Sequence, residues 1–307
     1  MVINFMWATQ VPVIRFVGDR LGPVTVAYVP MVISTLFFLP ILWCQNHSRG
    51  VALRWHWKDA KHFLLAGSIG VFVLQFLYTV GSRWTLAANA GVITLTTPVL
   101  VALLASVFLK ERLTSVRILS FLLAMVGVLL ASLPDLRQVD FRHSQYLAGN
   151  LVFLLACLCC GFFNTYCKLL VERQYSELEI LVYTSVVGSV ASIPLLIWVE
   201  PFHLAKFLQS GWIAIGSVLE LSFIVYGVSM LLFFRILKRM DVTQAILGNY
   251  LLPLFIALLG VVLLREPVPG LTLLGGAIIL VSTLMVTVFE AELQGWLDQR
   301  KLIRGWD

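Results

Sequence analysis

Apolar residues in this chain come in long runs separated by short polar stretches. Ten runs stand out, over about residues 2–17, 22–44, 62–82, 86–109, 117–133, 147–169, 179–199, 211–236, 243–264 and 270–289. Most approach the ~20 residues that carry a helix across the ~30 Å hydrocarbon layer of a bilayer. A stretch such as "VLVALLASVFL" is apolar on every face and does not alternate, so barrel strands are not predicted. In lipid the backbone must satisfy its own hydrogen bonds within the segment, which selects helices. Polar intervals stay at or below about seventeen residues, too short for a water-soluble domain. The first run is not read as a cleavable leader. It lacks a basic stretch ahead of it, and Gln10, Pro12 and Arg15 interrupt its apolar core.

Two runs are near copies: "TTPVLVALLASVFLKERL" and "NYLLPLFIALLGVVLLREPV". Pro98 matches Pro253, Ala102-Leu103-Leu104 matches Ala257-Leu258-Leu259, Leu109 matches Leu264 and Glu111 matches Glu266, all at a constant offset of 155 residues. Leu and Val recur by chance in greasy sequence. A proline ahead of the run and a basic–acidic pair behind it do not, so the pattern reads as an internal duplication. The chain then divides into a five-helix unit over 1–133, a connection over 134–146, a second five-helix unit over 147–289 and a tail over 290–307. Five is odd, so the second copy enters the membrane from the opposite face. The predicted fold class is an all-α integral membrane protein, ten transmembrane helices as two inverted five-helix repeats. Secondary transporters use that design to build inward-open and outward-open states, with the substrate site near the midplane.

Composition agrees with this pattern. The 307 residues are 60% hydrophobic and 12% charged, and mean hydropathy is +0.93. Soluble domains sit nearer half apolar and a quarter charged. With the N-terminus inside, inner segments carry fifteen Lys and Arg and outer segments seven. That bias predicts cytoplasmic N- and C-termini in a cell (inner) membrane and accounts for the net charge of +6. It is no nucleic-acid footprint: "RWHWKDAKH" at 54–62 precedes a span and reads as a headgroup belt. The tail "ELQGWLDQRKLIRGWD" has the composition of a short surface helix. Cys44, Cys157, Cys159, Cys160 and Cys167 lie within or at the end of runs and read as small hydrophobes in lipid. Neither a G-x-x-x-x-G-K-S/T loop nor a Ser-His-Asp or H-E-x-x-H grouping occurs, so neither an ATP-driven motor nor an enzyme is predicted. No cofactor and no metal site are expected.

Longer stretches resemble a known family. "ANAGVITLTTPVLVALLASVFLKERLTSVRILSFLLAMVGVLLAS" looks like the fourth and fifth helices of the drug/metabolite transporter superfamily, in its EamA-type branch. "WATQVPVIR" at 7–15 is similar to that family's first-helix pattern, with Trp7 at the aromatic and Arg15 at the closing basic position. "CGFFNTYCK" at 160–168 is its second-half counterpart, and "QAILGNYLLPLFIALLGVVLLREPVPGLTLLGGAIIL" resembles the ninth and tenth helices. The chain departs from the pattern at Ala8 and Ser282, where glycine is usual, and at the second helix, which opens without the usual arginine. The resemblance implies a ten-helix carrier of small metabolites working by alternating access, often outward and often coupled to protons.

Polar residues inside the runs are the candidate site. Glu220 is the only acidic residue well inside a span. A charge at that depth costs about 2.5–3.5 kcal/mol on insertion scales, and intramembrane acids commonly mark pathways. Low-dielectric surroundings favour the neutral form of a carboxyl. Glu220 is therefore read as a proton-coupling group or an anchor for a cationic substrate group, with a structural, protonated carboxyl as the alternative. Asn89 and Gln244 lie 155 residues apart amid small residues. They read either as paired substrate contacts or as interhelical hydrogen bonds. Thr94, Thr96, Thr97, Asn249 and Tyr250 extend a polar face toward mid-membrane. Pro98 and Pro253 should kink their helices, as packing features or as hinges. Trp7, Gln10, Tyr78 and Tyr226 are candidate cavity walls, and the aromatics among them also suit interfacial anchoring. Arg15 and Lys168 close the first helix of each half, and snorkelling explains them.

The function these readings support is a secondary active transporter of amino-acid-like or other small polar or amphipathic metabolites, exporting by alternating access with protons as a coupling ion. Helices one, three, four, six, eight and nine should line the cavity. Partners are a small-molecule substrate and the lipid bilayer, with no nucleic acid, in a monomer or homodimer. A sugar-nucleotide or lipid-linked carrier, and a transporter-like fold kept as a non-transporting sensor or scaffold, stay open as alternatives.

Overall fold

The computed structural model describes residues 2–48, 59–109, 115–137, 145–239, 242, 245, 249, 252–265, 268–289 and 292. Among these residues regular structure is helical throughout. The helices are α1 (Val2–Phe16), α2 (Pro23–Ser48), α3 (Ala60–Trp84), α4 (Ala87–Phe108), α5 (Ser115–Arg137) and α6 (Gln145–Glu172). They continue as α7 (Glu177–Val199), α8 (Trp212–Leu237), α9 (Leu252–Leu259, prolonged by wider turns over Gly260–Leu264) and α10 (Gly270–Thr287). A short helix, Leu204–Gln209, lies between α7 and α8. Among the described residues, six helices are long and apolar enough to cross a membrane: α2, α3, α4, α6, α7 and α8. Shorter apolar stretches lie at Ile118–Gly127, Phe255–Leu264 and Gly270–Ser282.

Helix ends follow from local chemistry. Pro23 opens α2, where its fixed φ suits the first helical turn. The Glu200 carboxylate accepts hydrogen bonds from the backbone N–H groups of Val24 (2.9 Å) and Thr25 (3.0 Å), satisfying donors that have no intrahelical partner. Ser176 and Glu179 close a reciprocal capping box at the start of α7. At the same end of the bundle Asp59 accepts from the Tyr175 hydroxyl (2.8 Å) and pairs with Arg173, tying the start of α3 to the end of α6. At the opposite end Arg83 donates to the carbonyls of Leu21 (3.2 Å) and Gly18, and Arg15 donates to that of Thr85.

Packing brings helices together in pairs five apart in chain order: α2 on α7, α4 on α9 and α5 on α10. α3 packs on α6, and α8 packs on α1. Lipid tails are as apolar as leucine, so these contacts depend on close fit and small residues. A Cβ at Gly149 of α6 would fall 2.4 Å from the carbonyl carbon and oxygen of Trp84 at the end of α3. A Cβ at Gly127 of α5 would fall 2.8 Å from the Gly275 carbonyl oxygen of α10. Only glycine allows backbones this near.

Two helices change pitch midway. α3 widens over Ser68–Val73 and α8 over Leu221–Val228. Wide turns of this kind sit frequently at functional sites. Here they come directly before Leu74–Tyr78 and Ser229–Met230, which face the interior cavity or brace its walls.

Candidate functional site

α1, α3, α4, α6, α8 and α9, together with Asn249, enclose an interior cavity of about 70 Å³. Its wall includes Trp7 and Gln10 of α1, Gln75 and Tyr78 of α3, Thr94 and Thr97 of α4, and Cys157, Cys160 and Asn164 of α6. Leu74 of α3, Phe163 of α6, Met230 of α8 and Leu252 of α9 add apolar surface to it. A water occupies ~30 Å³ of liquid and ligand pockets run to ~300 Å³ or more, so this space suits a few waters and not a metabolite.

Gln10 organises the wall. Its amide donates to the Gln75 side-chain oxygen (3.1 Å) and to the Tyr226 hydroxyl (3.1 Å), joining α1 to α3 and α8. Both amide N–H groups are used. One turn earlier the Trp7 indole N–H donates to the Ser229 hydroxyl (2.9 Å), a second tie to α8.

Pro98 shapes the α4 side. It has no N–H to donate to Thr94, and α4 breaks at Leu95–Thr96 into segments Ala87–Thr94 and Thr97–Phe108. The N–H groups of Leu95 and Thr96 reach back only three residues, to Val92 (3.1 Å) and Ile93 (3.0 Å). The hydroxyls of Thr94 and Thr96 bond to carbonyls of the preceding turn, at Gly91 (2.6 Å) and Ile93 (2.8 Å). The break therefore lies at the cavity, between Thr94 and Thr97. Three pairs of wall residues stand 155 residues apart in the chain: Gln75 and Met230, Thr94 and Asn249, Thr97 and Leu252.

Glu220 lies elsewhere. It opens into a lateral groove of about 570 Å³ between α1, α8 and α9, lined by Val2, Phe5, Met6, Thr9, Ile224 and Phe255. The Thr9 hydroxyl stands 2.5 Å from Glu220 Oε1 and 2.7 Å from the Met6 carbonyl oxygen. Glu220 Oε2 is buried with no hydrogen-bond partner among the described residues. The structure thus separates Glu220 from Gln10, although Thr9 links it to the helix that carries Trp7 and Gln10.

The remaining candidates divide in the same way. Asn89 is fully buried and its Oδ1 accepts from the Thr272 hydroxyl (2.8 Å), an α4–α10 contact away from the cavity wall. Tyr78 faces the cavity beside Phe153, with ring centroids 4.8 Å apart. Tyr226 stands behind the wall as the partner of Gln10. Pro253 backs onto α4, where a Cβ at Gly91 would lie 3.2 Å from its carbonyl oxygen. Gln244 and Tyr250 lie outside the described residues. Cys157 and Cys160 are wall residues and not the lipid-facing hydrophobes expected, because the α6 face that carries them turns toward α4. Sequence reasoning missed Gln75, Asn164 and Thr9. Gln75 carried a usable signal as an amide inside an apolar run, and Asn164 lies within the quoted "CGFFNTYCK".

A family model described as the EamA-like transporter family matches residues 1–133 and 147–288. An uncharacterized transporter of Archaeoglobus fulgidus is 22% identical over 280 residues, covering 91% of this chain and 94% of its own. The uncharacterized transporter YetK of Bacillus subtilis is 25% identical over 297 residues, covering 94% and 82%. A probable terminal-alkyne amino-acid exporter of Streptantibioticus cattleyicolor is 26% identical over 229 residues, covering 75% and 73%. A solved crystal structure superposes with a TM-score of 0.66 at 18% identity, over 95% of this chain and 96% of that one, a likeness of fold alone.

Proposed function

The chain belongs to the EamA-like transporter family, and from that premise we propose a secondary transporter that exports small polar solutes through the Gln10 cavity by alternating access. It is a multi-pass membrane transporter. The observation that carries this proposal is the cavity wall, which holds three pairs of residues 155 apart and borders the break in α4. Pairing of α2 with α7, α4 with α9 and α5 with α10 is what a twofold axis in the membrane plane demands, and α3–α6 is answered by α8–α1. The two matched blocks of the family support the same ten-helix, two-repeat arrangement. Bias of Lys and Arg supports both termini inside, in a cell membrane.

The cargo is amino-acid-like. The wall sets amides and hydroxyls without a fixed charge among apolar side chains, a surface that suits a small amphipathic zwitterion or neutral solute. One relative named as a probable amino-acid exporter supports the class, at 26% identity. Phosphate-bearing cargo fits poorly, because no Lys or Arg lines the cavity among the described residues.

Glu220 couples transport to protons from the α1–α8 seam and not from the cavity wall. A single Thr9 proton serves one acceptor, while two oxygens lie within 2.7 Å of its hydroxyl. A proton on Glu220 donated to Thr9, with Thr9 donating to Met6, fills both contacts. Loss of that proton leaves a carboxylate in an apolar groove with Thr9 as its donor, breaks the Thr9–Met6 bond and drives α1, with Trp7 and Gln10, to a new position.

The test is flux from proteoliposomes loaded with pooled metabolites, with and without an imposed pH gradient, for wild type and Glu220→Gln. Gradient-stimulated loss of amino acids, with the gradient effect removed by the substitution, is expected. Unchanged gradient dependence in Glu220→Gln refutes the coupling role. No flux of any compound from folded protein refutes transport through this cavity.

A further inference from the structure

A second, larger cleft has no part in that cycle. It runs along the outside of the bundle between α2, the start of α7 and the second half of α8, and encloses about 990 Å³. Its floor is apolar, made by Phe38, Ile41, Val228 and Leu231. Its rim is polar and basic, with Ser48, Arg235 and Lys238 at the helix ends. Arg235 also borders a neighbouring groove that holds Arg239.

We propose that this cleft binds one anionic phospholipid, acyl chain along the floor and phosphate at Arg235. The cleft spans ten residue steps along α2, from Phe38 to Ser48, and ten along α8 and its cap, from Val228 to Lys238. At 1.5 Å per residue each is ~15 Å, half of the ~30 Å hydrocarbon layer, so the cleft is one leaflet deep. Its basic rim stands where the headgroups of that leaflet lie.

The rim carries charge complementary to a phosphate. Glu177 lies at the rim but is engaged with Lys238 at 3.0 Å, and Glu179 is turned into the capping box of Ser176. Arg235 is exposed and Arg239 stands beside it on the same helix end, so the described rim keeps a net positive charge. The α8 C-terminus contributes negative partial charge that favours basic residues there, but it does not supply the phosphate a guanidinium binds bidentately. With the inward termini proposed above, this leaflet is the cytoplasmic one, rich in anionic lipid.

The experiment is native mass spectrometry of the full chain in neutral detergent, titrated with phosphatidylglycerol or with phosphatidylcholine of the same acyl chains. One phosphatidylglycerol is expected to bind at least fivefold more tightly than phosphatidylcholine. Arg235→Gln should remove about fivefold, the equivalent of the ~1 kcal/mol carried by one basic residue at a lipid surface, and Arg235→Lys should retain the preference. Leu231→Trp, which fills the floor, should weaken both lipids. Equal affinity for the two lipids, or a preference untouched by Arg235→Gln, overturns the proposal. So does displacement by soluble glycerophosphoglycerol, which would mark an anion site without a lipid.

Discussion

Gly149 and Gly216 are both small residues in apolar helices, and replacing each by alanine should move stability in opposite directions. At Gly149 the new Cβ would stand 2.4 Å from two backbone atoms of Trp84. Ordinary contact begins ~1 Å farther out, and neither backbone can rotate away as a side chain can. Overpacking of this kind costs ~1–3 kcal/mol, and backbone on both sides places the cost near the top of that range. Alanine recovers ~0.5–1 kcal/mol over glycine within a helix. The net expectation is a loss of about 2 kcal/mol. The same shift stretches the buried Thr85–Asn150 hydrogen bond, which spans the same crossing. At Gly216 nothing lies within 4 Å of the built Cβ, so Gly216→Ala should gain ~0.5–1 kcal/mol. Equilibrium unfolding of both variants in mixed detergent and dodecyl sulfate measures the pair. A change of the same sign in both, or a Gly149→Ala loss below ~0.5 kcal/mol, refutes the reading of the α3–α6 crossing as backbone-limited.

Three further outcomes follow from the site and its supports. Gln10→Leu removes the shared donor of Gln75 and Tyr226. At ~0.6 kcal/mol per interhelical bond in membranes it should cost about 1 kcal/mol in unfolding and at least tenfold in proteoliposome flux, with Tyr226→Phe in between. Pro98→Ala restores the missing N–H opposite Thr94 and should join the two segments of α4. Stability should rise by ~1 kcal/mol or more, short of the ~3 kcal/mol a mid-helix proline costs, while flux falls, both read on the same preparation. Partial burial pushes the Asp59 carboxyl up, but the Tyr175 hydroxyl and the Arg173 guanidinium outweigh it and hold Asp59 below its ordinary range. A depressed folded-state value means stability that is present above the unfolded pKa of ~3.9 and lost as pH falls toward the folded value. Thermal midpoints should therefore fall on acidification below about pH 4 in wild type, and less so in Asp59→Asn.

Local sequence carried much of the fold because the bilayer is an unforgiving solvent. Apolar runs, Pro98, Pro253 and the 155-residue offset are all readable without coordinates, since each acts through its own segment. The transporter family was readable for the same reason: its motifs fall within single helices. Trp7, Gln10, Thr94 and Asn249 were also found as cavity-wall candidates, each being a hydrogen-bonding group set in an apolar run.

Which polar residues meet was a different question, decided by rotation about helix axes and by wide turns that no run of leucines discloses. Glu220 and Gln10 read as members of one site, yet Tyr226 faces Gln10 while Glu220, on another face of α8, meets Thr9. Asn89 went to Thr272, a residue no spacing rule connects to it. Cys157 and Cys160 became wall because α6 turns that face to α4. The sequence by itself determined that the chain is helical, apolar and built to live in lipid. Only the tertiary structure decided which face of each helix turns inward, because in lipid the hydrophobic effect does not choose between apolar faces and close packing does.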